Sequence, residues 1–180
     1  MISEIKRFID DSFNKIIPHF ERTIYWLKIL NPKADEAMEI AAYAHDISRA
    51  FRKTNSAETF RDKELDDREI IKEHQEKGAK IITAFLKEKH YNVKDIDRIY
   101  KMVSKHEWGG DLESDLIKDA DSISYLELNA PKHAQKLALI LGKEKIRRKI
   151  DWMFNRITSK EAKKLAEPFY QTAIKCLEKN

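Results

Sequence analysis

Cysteine is almost missing: Cys176 stands alone among 180 residues, so no internal disulfide can form. A thiolate metal cluster is excluded as well, and a reducing, intracellular setting is expected. Glycine and proline number four each in a chain that is 37% charged, which reads as helical throughout. No apolar run approaches the ~20 residues needed to span a bilayer. The N-terminus also lacks a signal-peptide pattern, so the expected protein is cytoplasmic and makes no membrane contact. Charge of one sign is not in large excess either, since 35 basic residues face 31 acidic ones for a net +4. That balance suits a phosphate-bearing small molecule and does not call for nucleic acid. No repeat and no low-complexity tract interrupts the chain. Its length fits one domain, or one domain with a helical extension, burying roughly 70% of the unfolded surface.

What is present is amphipathic periodicity. Pro18 opens a helix carrying His19, Ile24, Trp26, Leu27 and Leu30, in which His19 shares the apolar face. Asp35 caps a third helix whose apolar face runs Ala37, Ile40, Ala41, Ala44 and Ile47 and which carries His45-Asp46. Residues 53–67 show little apolar periodicity and read as a loop, with or without a short helix, either a lid or collar near His45-Asp46 or a disordered connector. A long helix from Asp66 or Asp67 to Lys87 places His74 in phase with Ile81, Ile82 and Phe85. Gly78 within it costs about 1 kcal/mol against Ala, which a close helix approach or a ligand against the backbone would justify. In the next helix Ile96, Ile99, Val103 and His106 share one face, and Gly109-Gly110 ends it.

A sixth helix from Glu113 carries two carboxylates that differ by about 200° around its axis. Asp121 is in phase with Ile117, Ser124 and Leu128 and is therefore the inward one, while Asp119 points away. The last third, from Pro131, is expected to be a run of helices. His90 and His133 read as surface residues, and Arg147-Arg148-Lys149 as a solvated helix face.

Four inward histidines with two inward carboxylates are hard to explain as packing, because each buried polar group needs a partner. A shared metal centre satisfies all of them at once, and imidazole with carboxylate suits zinc, manganese or iron.

The order His19, His45-Asp46, Asp121 resembles that of the HD-domain superfamily of metal-dependent phosphohydrolases. His19-Phe20-Glu21-Arg22 is similar to its H-x-x-R opening, and His74-Gln75-Glu76-Lys77-Gly78-Ala79 to an H-x-x-x-G-A stretch. His106-Glu107 before Gly109-Gly110 is similar to the second auxiliary-histidine stretch, and Ala120-Asp121 to the closing A-D. An unpaired His106 with no G-Y-P stretch sets the chain apart from the branch that hydrolyses cyclic dinucleotides. Ser48-Arg49 stands where Gly-Lys is frequent.

The resemblance implies an all-α HD-like helical bundle over residues 1–130, with a helical extension over 131–180 packed on it. It implies one metal held by His19, His45, Asp46 and Asp121, and a second held by His74 and His106 with Asp46 bridging. The metal would be a divalent Mn, Fe, Zn, Ni, Co or Mg ion, bound as one ion or two. His45 and Asp46 would then serve a phosphomonoesterase or phosphodiesterase reaction on a phosphate ester such as a nucleotide, by activating water. Arg22 and Arg49, each one turn from a ligand, either fork a phosphate or are ordinary surface arginines. Glu73 or a free water would protonate the leaving group. A diiron oxygenase on the same scaffold and a non-catalytic basic binding module are the competing readings.

Overall fold

Helix α3 (Glu36–Ala44) is buried on nearly every side, from Ala37 and Met38 to Ala44. A helix that is apolar all round belongs at the centre of a bundle. Its small residues Ala41, Ala42 and Ala44 let neighbouring helices come close, and the Asp35 carboxylate caps it by accepting from the Met38 N–H at 3.0 Å. The computed structural model describes residues 1–54 and 56–179, and within them the chain is helical with no strand.

Around α3 are arranged α1 (Ile2–Phe13), α2 (Pro18–Leu30), α5 (Arg68–Glu88), α6 (Val93–Lys105) and α7 (Leu112–Ser124). A four-residue helix, α4 (Ser56–Thr59), lies in the stretch expected to be a loop with or without a short helix, of which Asn55 is outside the described residues. The pairs α5–α6 and α2–α7 are packed along their lengths, and α3 touches α1, α2, α6 and α7. Asp67, Asn92 and Asp111 cap α5, α6 and α7 through side-chain oxygens on backbone N–H groups.

The run of helices expected from Pro131 is present and is continuous with α7. The chain continues from α7 through a widened π-turn (Tyr125–Asn129), α8 (Ala130–Lys132), a second π-turn (His133–Leu137) and α9 (Ala138–Leu141). A proline inside a helix removes a donor and crowds the preceding turn, and the wide turn just before Pro131 relieves both. Gly142, with φ of 90°, ends this rod in a backbone conformation that favours glycine. Helices α10 (Lys143–Asn155) and α11 (Lys160–Lys179) follow, and α11 packs on α7, α8 and both π-turns. One apolar cluster runs from Ile5 to Leu177. No helix among the described residues is long and apolar enough to cross a membrane.

Candidate metal centre

Helix α3 stops at Ala44, earlier than the periodicity suggests. His45 caps it, Asp46 takes φ −101° and ψ 9°, and a 3-10 turn (Ile47–Phe51) follows. The backbone of Asp46 thus sits in the bridge region, sparsely populated and frequent at functional sites. On an unbroken helix the two side chains would diverge by about 100°. The break turns them together, bringing His45 Nε2 and Asp46 Oδ2 to 3.7 Å.

The six side chains singled out by phase gather in two adjoining groups, all buried. In the first, Asp121 Oδ1 lies 3.0 Å from His19 Nε2 and 3.4 Å from His45 Nε2. In the second, Asp46 Oδ1 lies 2.9 Å from His74 Nε2 and 4.0 Å from His106 Nε2. Asp46 therefore turns one oxygen toward each group.

Local structure fixes the imidazole orientations. His45 and His106 occupy the same position on different helices, at the C-caps of α3 and α6. Each donates Nδ1–H to the carbonyl three residues back, Ala42 or Val103, at 2.8 Å. The Ser124 hydroxyl donates to the His19 carbonyl at 3.0 Å, so it accepts from His19 Nδ1 at 2.7 Å. His74 Nδ1 is bonded to the Ser48 hydroxyl. All four rings consequently present Nε2 inward, the arrangement by which outer partners orient metal-binding imidazoles. Gly78 on α5 packs next to this cap, where a Cβ would meet the His45 carbonyl oxygen at an ordinary contact distance of 3.4 Å.

The inward atoms are short of partners. His45 Nε2, His74 Nε2, His106 Nε2 and Asp46 Oδ1 are buried without a directional hydrogen bond among the described residues. Each faces the others across a gap instead, so nitrogen and oxygen donors converge on a space rather than on hydrogens. Buried polar groups left in this way are costly unless something satisfies them. Two sets of two histidines and one carboxylate fit divalent ions of the zinc, manganese or iron type.

The electrostatics keep both carboxylates ionised. Burial disfavours a charged Asp46, but Arg49 and His45 outweigh it and hold the carboxylate ionised well below its usual range. The same holds for Asp121, where His45 and Arg156 overcome burial. Burial and the neighbouring histidines push His106 down to about 4, which keeps its Nε2 lone pair free near neutral pH. His45 goes the other way: Asp121 and Asp46 outweigh burial and raise it to about 9.

Sequence reasoning missed Arg156. Its guanidinium is buried and bonds both Asp121 Oδ2 and Glu107 Oε2, while Nε donates to the Ser122 hydroxyl at 2.8 Å. Glu107 itself is buried beside His106, and its backbone N–H donates to the Gln75 side chain at 2.8 Å. Burial opposes ionisation of Glu107, but Arg156 and Lys149 bring it down to about 2. The signal for Arg156 was its phase with Trp152 and Met153 at the end of an amphipathic helix.

Both groups open onto a cavity of about 430 Å³. Arg49 lines it, with Nε 2.9 Å from Asp46 Oδ1 and the rest of the side chain 40% exposed. Arg22 does not reach it. Its fork is occupied by Glu127, with Nε and Nη2 each 2.6 Å from a carboxylate oxygen, and its guanidinium lies 4.0 Å from the Tyr25 ring centroid. The expectation that Arg22 binds phosphate is corrected accordingly.

Three further expectations change. His133 is a wall residue of the cavity, bonded through Nδ1 to the Tyr125 hydroxyl at 3.0 Å, because the π-turns rotate it inward. Lys149 also turns into the cavity, whereas Arg147 and Arg148 stay outside on Asp151, Glu144 and Glu64. Asp119 is buried rather than outward, and accepts from the Thr158 and Ser159 N–H groups at 2.8 and 2.9 Å ahead of α11. His90 is exposed, as expected.

The fold is that of a known structure: a crystal structure of a predicted HD superfamily hydrolase from an uncultured Thermotogales bacterium. It is 19% identical, with a TM-score of 0.59 over 98% of this chain and 89% of that one. No curated protein matches the sequence. The family model that matches, over residues 10–175, is DUF4202, described as a domain of unknown function, and the chain belongs to that family.

Proposed function

We propose that this protein is a metal-dependent phosphohydrolase acting on a phosphate ester of nucleotide size. The observation that carries this reading is the set of buried imidazole Nε2 and carboxylate oxygen atoms facing one another at the wall of a cavity that also holds Arg49 and Lys149. A divalent cation supplies two things there, acidification of water and polarisation of a phosphoryl oxygen. His19, His45 and Asp121 would hold one ion, and Asp46, His74 and His106 a second.

The chain's own residues do the rest. Arg49, fixed at one edge by Asp46, keeps guanidinium donors free for phosphate oxygens. Lys149 forms no ion pair among the described residues, and its ammonium rests 4.1 Å from the Trp152 ring centroid, available to a second phosphate oxygen. The volume of about 430 Å³ falls in the range of small-molecule sites. These cations favour an anionic ester over the uncharged dioxygen of a diiron oxygenase. They also explain the residues better than a basic binding module does, since Arg147 and Arg148 are engaged by carboxylates.

The test is metal analysis of protein purified without chelator, followed by a screen of phosphate monoesters and diesters. At least one equivalent of divalent metal and phosphate release that disappears in His45→Ala and Asp46→Ala are expected. Oxygen uptake with bound iron and no phosphate release would overturn the reading.

A further inference from the structure

Residues 59–65, ahead of α5, form a strap tied down from α10. Lys145 Nζ donates to the carbonyls of Phe60, Arg61 and Lys63 at 3.0, 3.3 and 2.9 Å, and Arg148 pairs with Glu64 at 2.9 Å. Phe60 and Leu65 of the strap line the metal-site cavity. Thr59 and Lys63, on the same strap, line a neighbouring open cleft of about 440 Å³. Arg52, Ile70 and His74 line both spaces, so the cleft adjoins the cavity at a metal-ligating histidine.

The cleft is strongly one-signed. Arg52, Lys53, Lys63 and Lys77 border it against the single carboxylate of Glu73. Arg52 makes no ion pair among the described residues, and burial together with the nearby Arg49 cation lowers its pKa. A half-buried guanidinium held next to another cation without a counter-ion is unfavourable unless an anion arrives.

Charge in the main cavity points the same way. Its carboxylates Asp46, Asp121 and Glu107 are already outnumbered there by Lys15, Arg49, Arg52 and Lys149. Any divalent ion adds two more positive charges. A phosphate monoester dianion compensates one such ion and leaves the cleft cations unanswered.

We infer that the cleft bordered by Arg52, Lys53, Lys63 and Lys77 is a second anionic subsite, and that the substrate carries a second phosphate or a carboxylate beyond the phosphate at the metal centre. The body of the substrate passes between strap and rod. On the rod, Tyr125, Asn129, His133 and Leu137 recur every fourth residue and all line the cavity. In a regular α-helix such a row would fan through about 120° over three steps. The two π-turns hold it on one wall.

This inference rests on the phosphohydrolase reading only for where the first phosphate sits, and binding of uncleavable probes separates the two. Calorimetry on manganese-loaded protein would compare propylphosphonate with 3-phosphonopropionate and propane-1,3-diphosphonate, which add a second anion to the same phosphonate. Either two-anion probe should bind at least about tenfold tighter, the size of one charge-assisted hydrogen bond. The exposed double variant Lys53→Gln/Lys63→Gln should remove most of that advantage with propylphosphonate affinity unchanged, and Arg52→Gln, which borders both spaces, should weaken the two-anion probes more than propylphosphonate. Equal affinities for the three probes, or an advantage that survives both variants, would overturn the subsite. Hydrolysis of simple monoesters without any two-anion preference would leave the phosphohydrolase reading standing and remove this one. Two-anion preference without hydrolysis of any ester would do the reverse.

Discussion

Asp121 divides its two oxygens between opposite tasks: Oδ1 faces His19 and His45, while Oδ2 is bonded by Arg156. A carboxylate gripped on one side by a guanidinium can offer a metal one oxygen in a fixed direction. The cation therefore reaches the centre from the far end of α10, and its guanidinium is shared between Asp121 and Glu107.

Arg156→Met should destabilise the metal-free protein by about 3–5 kcal/mol, because two buried carboxylates lose their partner. Metal affinity should fall roughly 10–100-fold, as when an outer partner of a ligand is removed. Arg156→Lys keeps the charge without the fork and should recover part of each loss. Denaturant unfolding and metal titration measure the two effects separately. An Arg156→Met protein with unchanged metal affinity would show that the guanidinium only packs.

The inward phase of His19, His74, His106 and Asp121 was legible because each lies on an amphipathic stretch whose period places its neighbours in the core. Helix ends were legible where a side chain caps them, as at Asp35 and Asp67. What escaped has a physical cause in each case. The turn at His45-Asp46 follows a run of alanines that would continue as helix just as well, so nothing local marks the break. His133 reads as a surface residue because its neighbours in sequence are polar, and nothing local signals the π-turns that bring it to the cavity wall. Arg22 was misread because its partner Glu127 is 105 residues away, a pairing that no local pattern reveals.

Asp119→Ala and Asp121→Ala should separate structure from metal. Asp119 satisfies two backbone N–H groups ahead of α11, so its loss should cost on the order of 2 kcal/mol. Metal content should not change. Asp121→Ala should strip or weaken the metal instead. The comparison is read by thermal unfolding and by metal content after dialysis. Metal loss in Asp119→Ala would contradict the assignment.

Lys149 gives the site a pH dependence of its own. Burial, with help from Arg156 and Arg49, brings its ammonium down to about 8 in spite of Glu107. Below that pH it is charged and attracts phosphate; above it the charge is lost. Competitive inhibition by inorganic phosphate should therefore weaken as pH rises through about 8. In Lys149→Arg the guanidinium stays charged, and this fall should vanish while one from any other group persists. Identical pH profiles for the two proteins would remove Lys149 from phosphate binding.

Metal stoichiometry tests the role of Asp46 between the two groups. If His74 and His106 hold an ion of their own, titration should saturate at two equivalents, and His106→Ala should leave one. If they only contact substrate, the wild type saturates at one, and His106→Ala changes substrate affinity or rate instead. The second group has two histidines and one shared carboxylate, and water would complete its coordination. Its ion should be the weaker bound and the first to leave during dialysis. Asp46→Asn is the sharper variant, because it keeps shape and volume while removing the charge shared by both groups. It should weaken both ions together, whereas Asp121→Asn should weaken only the one near His19 and His45. Independent loss of a single ion in Asp46→Asn would show that this carboxylate serves one group and does not bridge.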